Sequence, residues 1–273
     1  MSTHRTGIAG FRAIICKPLA LALLLALAAP PALALPESYS ASYLAKTHNI
    51  AVGRADMKLR RQANGDYEYK LHLYPRGALG LLYRSQVYET SIGRIDADSV
   101  TPNRYDYVET GRNGREDHVL FEPATGQALL HYKGREESHT LPAEITVDPL
   151  STHLLLMRDL AAGEREMRYI LTEPRRIRAF HLVVTGTERV RTGEGRFEAI
   201  RVEVVGEQRL RDMEDIEDLD MDAPLPPPRR GAKTTFWLAP KLNYLPVRIL
   251  HIEDDSAPLE FLLDELNSMR PGL

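Results

Sequence analysis

Lys-Thr-Thr-Phe-Trp-Leu-Ala-Pro-Lys-Leu-Asn-Tyr-Leu-Pro-Val-Arg-Ile-Leu-His-Ile-Glu, residues 233–253, is the stretch whose reading decides the fold. Lys233–Leu238 and Pro246–Glu253 each alternate between apolar and polar residues and are rich in β-formers, while Ala239–Leu245 carries turn residues. That pattern predicts two antiparallel strands joined by a short loop. The stretch also holds the only tryptophan, Trp237, beside Phe236 and ahead of Tyr244 and Leu245. So much aromatic area in one hairpin predicts core packing.

Working outward, the same two-residue period recurs. Tyr39–Lys46, Ala51–Arg60 and Tyr67–Leu73 alternate, with an Asn64-Gly65-Asp66 turn between the last two. Strands follow at Val87–Ile95, Tyr105–Thr110, Glu116–Phe121, Gln127–Tyr132 and Glu137–Leu141, then at Glu166–Leu171, Arg176–Val184, Glu188–Thr192 and Phe197–Gln208. Leu259–Leu266 fits a strand through Leu259, Phe261 and Leu263 or a helix through Leu259, Leu262 and Leu266, the Asp254-Asp255-Ser256 turn before it favouring the strand. Gly77–Leu82 reads as a loop. One helix is expected, at 148–162: Asp148 suits the N-cap, Pro149 the first turn, Leu150, Leu154, Met157 and Leu160 keep helical spacing, and Gly163 suits the left-handed cap.

About 10–12 strands at roughly 4.8 Å spacing make a sheet about 50 Å wide, and one helix is only about 10 Å across. The apolar face of such a sheet has to meet itself. The expectation is a mainly β protein with a single curled antiparallel sheet, an open or half barrel, and the helix against its mouth or concave side. A curled sheet of this size can keep an apolar cavity, expected to be lined by Tyr43, Tyr69, Phe180, Phe236 and Trp237.

The ends and the composition bound the function. Arg5, Arg12 and Lys17 precede or open the apolar run Leu19–Ala29, and Ala32-Leu33-Ala34 offers a small-residue cleavage site. Residues 1–34 therefore read as a cleaved secretory signal peptide, which implies a periplasmic protein without a retained anchor. The single cysteine, Cys16, precedes the apolar run, so it is not a lipid-attachment cysteine, and a mature chain from residue 35 has no disulfide or thiolate. The 239 residues at 35–273 suit one β-rich domain. They carry 32 Lys and Arg against 38 Asp and Glu, a formal −6, which disfavours nucleic acid as a partner. Residues 211–230 carry seven carboxylates and then Pro224 and Pro226-Pro227-Pro228, and are expected to be a disordered insertion.

Three pieces carry a family resemblance. Trp237-Leu238-Ala239-Pro240 with Tyr244-Leu245-Pro246, Asp148-Pro149 ahead of the helix, and Gly195-Arg196-Phe197 resemble motifs of a bacterial secreted family classed as domain of unknown function three-one-zero-eight. The resemblance runs from about Tyr39 to Leu266 and implies a β-rich envelope protein; it supplies no catalytic residue. Asp148, Pro149, Gly195, Phe197, Trp237, Pro240, Tyr244 and Pro246 read as structural positions.

Chemical motifs are missing from the sequence. The nine histidines show no metal spacing, there is no Gly-x-Ser-x-Gly elbow and no phosphate loop, so no metal, cofactor or catalytic residue is expected. An outer-membrane barrel would need aromatic girdles and nearly charge-free outer faces, which these strands lack. Two function classes follow. The first is a non-enzymatic periplasmic protein that binds a lipid or other amphiphile in an apolar cavity; the alternative is an envelope assembly or scaffolding factor working through an exposed strand edge or the acidic insertion.

Overall fold

The computed structural model describes residues 35–270 except 37, 78–84, 97, 113, 144, 212–214, 217 and 254–255. The expected signal peptide, and the Gly77–Leu82 loop beyond Gly77, lie outside the described residues. Fifteen strands form one sheet. An antiparallel meander runs from its middle to one edge: β1 (Ser38–Thr47), β2 (Ile50–Arg61), β3 (Asp66–Pro75), β4 (Val87–Ile95), β5 (Val100–Glu109), β6 (Arg115–Glu122), β7 (Gln127–Tyr132) and β8 (Arg135–Thr140). A second meander returns from the other edge: β10 (Glu166–Glu173), β11 (Arg176–Thr192), β12 (Gly195–Leu210), β13 (Lys233–Ala239), β14 (Leu245–Ile252) and β15 (Leu259–Arg270). β15 pairs with β1, joining the first and last of the described strands at the centre of the sheet. The outermost strand beside β10 is β9 (Thr146–Val147), which pairs with it in parallel, and the helix α1 (Ser151–Ala162) follows.

The count among the described residues is fifteen where 10–12 were expected, and the two-residue β9 carries too few residues for alternation to be read. The parallel β9–β10 pair also departs from a purely antiparallel sheet. The curl is as expected. The two outermost strands, β8 and β9, are not paired with each other, so the sheet stays open, yet β5 meets β9 and β6 meets β10 around α1. Leu154, Leu155, Leu156 and Met157 are consecutive and all buried. A helix laid on one face would expose at least one of four consecutive residues; this one is wrapped by the sheet.

The first residue of α1 is Ser151, three later than expected, but Asp148 still caps it: its Oδ1 accepts the Leu150 and Ser151 amides at 2.8 Å each. Gly163 closes the other end at φ 93°, a left-handed cap. Inward positions on β1 to β3 are filled by Tyr39, Tyr43, Tyr67 and Tyr69 among alanines, Met57 and Leu59. Their hydroxyls are paired. Tyr39 donates to Tyr69, Tyr69 to the Met57 sulfur at 3.7 Å, and Tyr43 to the Pro246 carbonyl at 2.8 Å. Tyr67 lies 2.9 Å from Ser91 Oγ, which donates to Asp148 at 2.6 Å.

Residues 176–192 form one long strand rather than two, with a register shift between Val184 and Gly186. Beyond the shift the β11–β12 tip reaches β15, where the Gly193 amide meets the Leu263 carbonyl at 3.0 Å. A Cβ on Gly193 would stand 2.2 Å from the Asp264 carbonyl oxygen, so only glycine allows this approach. The described part of the 211–230 insertion is not a free tether, contrary to expectation. Leu225 is buried, the Glu207 amide of β12 donates to the Pro226 carbonyl at 2.8 Å, and Arg168 donates to the Ala223 carbonyl at 2.5 Å. Buried Leu225, half-buried Ile216, Leu219 and Met221 packed against the core, and two backbone acceptors order a segment whose composition argued otherwise.

Candidate functional site

The second meander keeps an apolar opening, whereas the largest space against the first meander, about 460 Å³ among Arg60, Asp66, Glu68, Ile92 and Asn103, has a mainly polar lining. An apolar slot of about 130 Å³ lies among Tyr169 and Leu171 of β10, Phe180 and Leu182 of β11, Val204 of β12 and Phe236 of β13. Residues two apart on a strand share a face, and Tyr169 pairs with Phe180, Leu182 with Val204, so adjacent strands build one continuous wall. Beside it is a basin of about 280 Å³ lined by Arg175, Arg176, Arg178, Arg209, Arg229 and Lys233, with Glu207 and Glu253 as its carboxylates. Slot and basin share Arg178, Val204, Thr234 and His251, and are therefore contiguous.

The charges of the basin are unevenly matched. Arg176 lies 2.7 Å from Glu173 and 2.9 Å from Glu253, and Arg178 lies 2.9 Å from Glu173 and 3.0 Å from Glu207. Burial opposes the charge of Arg176, but Glu173 and Glu253 outweigh it and hold the guanidinium pKa above its ordinary value. Arg178 also sits over the Phe180 ring, 4.9 Å from its centre, at the boundary between slot and basin. Burial lowers the pKa of His251, whose Nδ1 is 2.9 Å from Thr234 Oγ1.

A polar cleft of about 200 Å³, which shares Arg175 and Arg176 with the basin, lies among Glu89, Tyr105, Tyr107, Arg115, Tyr132 and Glu173. Burial pushes the Glu89 carboxyl up to about 7, although a hydrogen bond with Tyr105 pulls the other way. Burial likewise pushes Asp148 up to about 6 against its hydrogen bonds from Ser91, Ser151 and Leu150. The lining of this cleft holds no Ser, Cys or His. Among the described residues no three His, Cys, Asp or Glu gather as they would around a metal, and no helix is long and apolar enough to cross a membrane.

The five residues expected to line a cavity are not brought together. Phe180 and Phe236 line the slot. Tyr43 and Tyr69 are packed solid in the filled half, where Tyr69 stacks edge-on with Tyr39 and with His153 of α1. Trp237 points away from Phe236 to the other face, under the Arg248 guanidinium at 4.3 Å, with Nε1 donating to Glu188 at 2.9 Å. The motif residues do structural work. Gly195 takes φ 127° in the β11–β12 turn opposite Thr192, Phe197 pairs with Val190, and Pro240 opens a short 3₁₀ turn. Tyr244 takes φ 60° with its amide on the Ala239 carbonyl, while Pro149 borders the polar cleft. The basin arginines were missed by sequence reasoning, since alternating arginines read as a solvated strand face. The available signal was Gly206 in mid-strand, where a Cβ would stand 2.8 Å from the Leu225 Cβ, marking the place where the insertion docks as the basin wall.

Comparison with known proteins agrees with this architecture. The chain matches, at 86% coverage and 14% identity with a TM-score of 0.54, the crystal structure of a β-barrel-like protein of domain of unknown function DUF1849 from Brucella abortus, 99% of which is covered. A crystal structure from Parabacteroides distasonis, described as a "putative lipoprotein", aligns at 8% identity over 85% of this chain and 95% of its own, with a TM-score of 0.33, too distant to bear on the fold. Among curated proteins none matches. The family model described as protein of unknown function (DUF3108) matches residues 38–262, so the chain belongs to the DUF3108 family.

Proposed function

We propose that this is a non-enzymatic protein of the periplasm, delivered by the N-terminal leader and acting as one β-rich domain, that binds an amphiphile by taking the end of its apolar chain into the slot between Phe180 and Phe236. The observation that carries this reading is the slot itself, a mainly apolar opening in a molecule whose interior along β1 to β3 is packed with tyrosines. Its 130 Å³ is about four times the liquid volume of a water molecule, room for the end of a chain.

The scaffolding alternative draws less support. β8, the outer strand of the first meander, presents exposed Arg135, Glu136 and Glu137, and β9 is two residues long. Charged or very short edges discourage a partner strand. Native mass spectrometry of protein purified from the periplasm, with lipid extraction, tests the binding reading. A near-stoichiometric adduct is expected, lost in Val204→Trp, which fills the slot. A clean apo mass with no uptake of added lipid would overturn it.

A further inference from the structure

We infer that the amphiphile carries a phosphate head, held in the arginine basin by Arg175, Arg178 and Arg209 while its chain enters the slot. The inference rests on the slot reading for the chain and adds the identity of the head.

Three observations carry it. First, six of the side chains lining the basin are Lys or Arg and only two are carboxylates, on a chain whose overall formal charge is −3. Glu173, Glu207 and Glu253 are engaged with Arg176 and Arg178, and Lys233 with Glu203 at 3.3 Å; among the ion pairs of the described residues none includes Arg175 or Arg209. Second, Arg178 and Arg209 stand directly opposite each other on β11 and β12. Like charges in a cross-strand pair repel, and an anion between them turns that repulsion into attraction. Third, the Nε of Arg178 is buried with no hydrogen-bond partner, at the point where basin and slot share their lining. A buried donor without an acceptor is a cost that an anionic oxygen removes.

The guanidinium fork suits the paired oxygens of a phosphate, and several such forks around 280 Å³ suit a multi-oxygen head better than a single carboxylate. The slot begins at Arg178, so a head bound there places its chain against Phe180 and Phe236.

The test compares octyl phosphate, octyl glucoside and inorganic phosphate by calorimetry, below the micelle concentration. All three are titrated into the full mature chain at low and at physiological salt. Octyl phosphate is expected to bind at least about tenfold more tightly than octyl glucoside, an advantage that shrinks as salt rises. The double variant Arg175→Gln, Arg209→Gln is expected to bring the two octyl ligands within about threefold of each other. Because Arg209→Gln also relieves the opposed charges, that single variant should melt no lower than the wild type without ligand. Reduced affinity in this variant then reads as loss of an anion contact rather than loss of fold. Equal binding of the two octyl ligands would overturn the phosphate head and leave the slot reading standing. Inorganic phosphate binding as tightly as octyl phosphate, with octyl glucoside silent, would assign the basin to a free anion and overturn the amphiphile. Unchanged selectivity in the double variant would also overturn the assignment.

Discussion

The two meanders face the same interior and fill it differently. In β1 to β3 the inward positions carry tyrosines, whose hydroxyls are tied to one another, to Met57, to the Pro246 carbonyl and, through Ser91, to Asp148. In β10 to β13 the corresponding wall is mostly hydrocarbon, Leu171, Phe180, Leu182, Val204 and Phe236, with polar pairs only at its border, where Tyr169 donates to Asp159 at 2.7 Å and Thr234 meets His251 at 2.9 Å, and it stops short of closing. A wall that ends in buried hydroxyls cannot separate without leaving donors unpaired, at roughly 1–3 kcal/mol each. A wall of hydrocarbon can part without breaking a hydrogen bond. The apolar slot therefore lies where opening the core breaks few polar contacts, and the predictions below act on that contrast.

The largest effect is expected from the residue that ties the filled half to the helix. Asp148 is fully buried, takes the Leu150 and Ser151 amides on one oxygen and the Ser91 hydroxyl on the other, and through Ser91 reaches Tyr67. Asp148→Ala leaves three donors unpaired and is expected to cost about 3–5 kcal/mol. Asp148→Asn keeps an acceptor for the helix amides and should cost about half as much or less. Urea unfolding of both variants checks this. A loss below about 1 kcal/mol for the alanine variant would mean that the tyrosine half does not depend on its hydrogen-bond chain.

A middling effect is expected at the wall of the open half. Gly206 lets the Leu225 side chain lie against β12, and an added Cβ would meet the Leu225 Cβ at 2.8 Å and the His181 Cβ at 3.2 Å. Neither atom is the free end of a side chain, so Gly206→Ala should lift the insertion from the sheet at about 1–3 kcal/mol. The specific readout is hydrogen exchange at the Glu207 amide, which donates to Pro226 at 2.8 Å and should lose protection first. Faster exchange spread over the whole sheet instead would place the damage in the core rather than in the basin wall.

The same contrast explains what the sequence revealed. Strand alternation was legible because each strand of the curled sheet hides one face, and the surplus of apolar sheet over helix predicted the curl. Phe180 and Phe236 were readable as apolar strand residues, and both line the slot. Tyr43 and Tyr69 were misassigned because an inward tyrosine looks the same whether it borders a cavity or plugs one; only the positions of Tyr39, Met57 and Pro246 decide that, and those are contacts across the sheet. Trp237 was misassigned because adjacent residues of a strand face opposite sides of the sheet, so Phe236 and Trp237 cannot both line one cavity. The arginine basin was invisible because Arg178 and Arg209 are 31 positions apart in sequence and meet only through the β11–β12 register. The docked insertion was hidden by its own composition, with Leu225 outweighed by its acidic neighbours.

The smallest effect is expected at the polar cleft between the halves, and its sign is opposite to that of most carboxylates. Folded Glu89 titrates at about 7 and Asp148 at about 6, above the values of about 4.3 and 3.9 that the two side chains take in an unfolded chain. Across that interval the folded protein holds protons that the unfolded chain has released. Stability from these groups is thus present below pH about 4 and lost as pH rises toward 7. Glu89→Gln removes the group that loses most. Because part of the Glu89 side chain still reaches solvent, the gain should be about 1–2 kcal/mol, less than the whole shift would give. The variant should be more stable than the wild type at pH 8 and equal to it at pH 4, measured as urea midpoints at both values. A variant that is weaker at pH 8 would show that the Glu89 carboxylate is stabilised by charge from the Arg115 or Arg176 side of the cleft, and that the cleft is tuned to hold an anion on its own wall rather than to expel one.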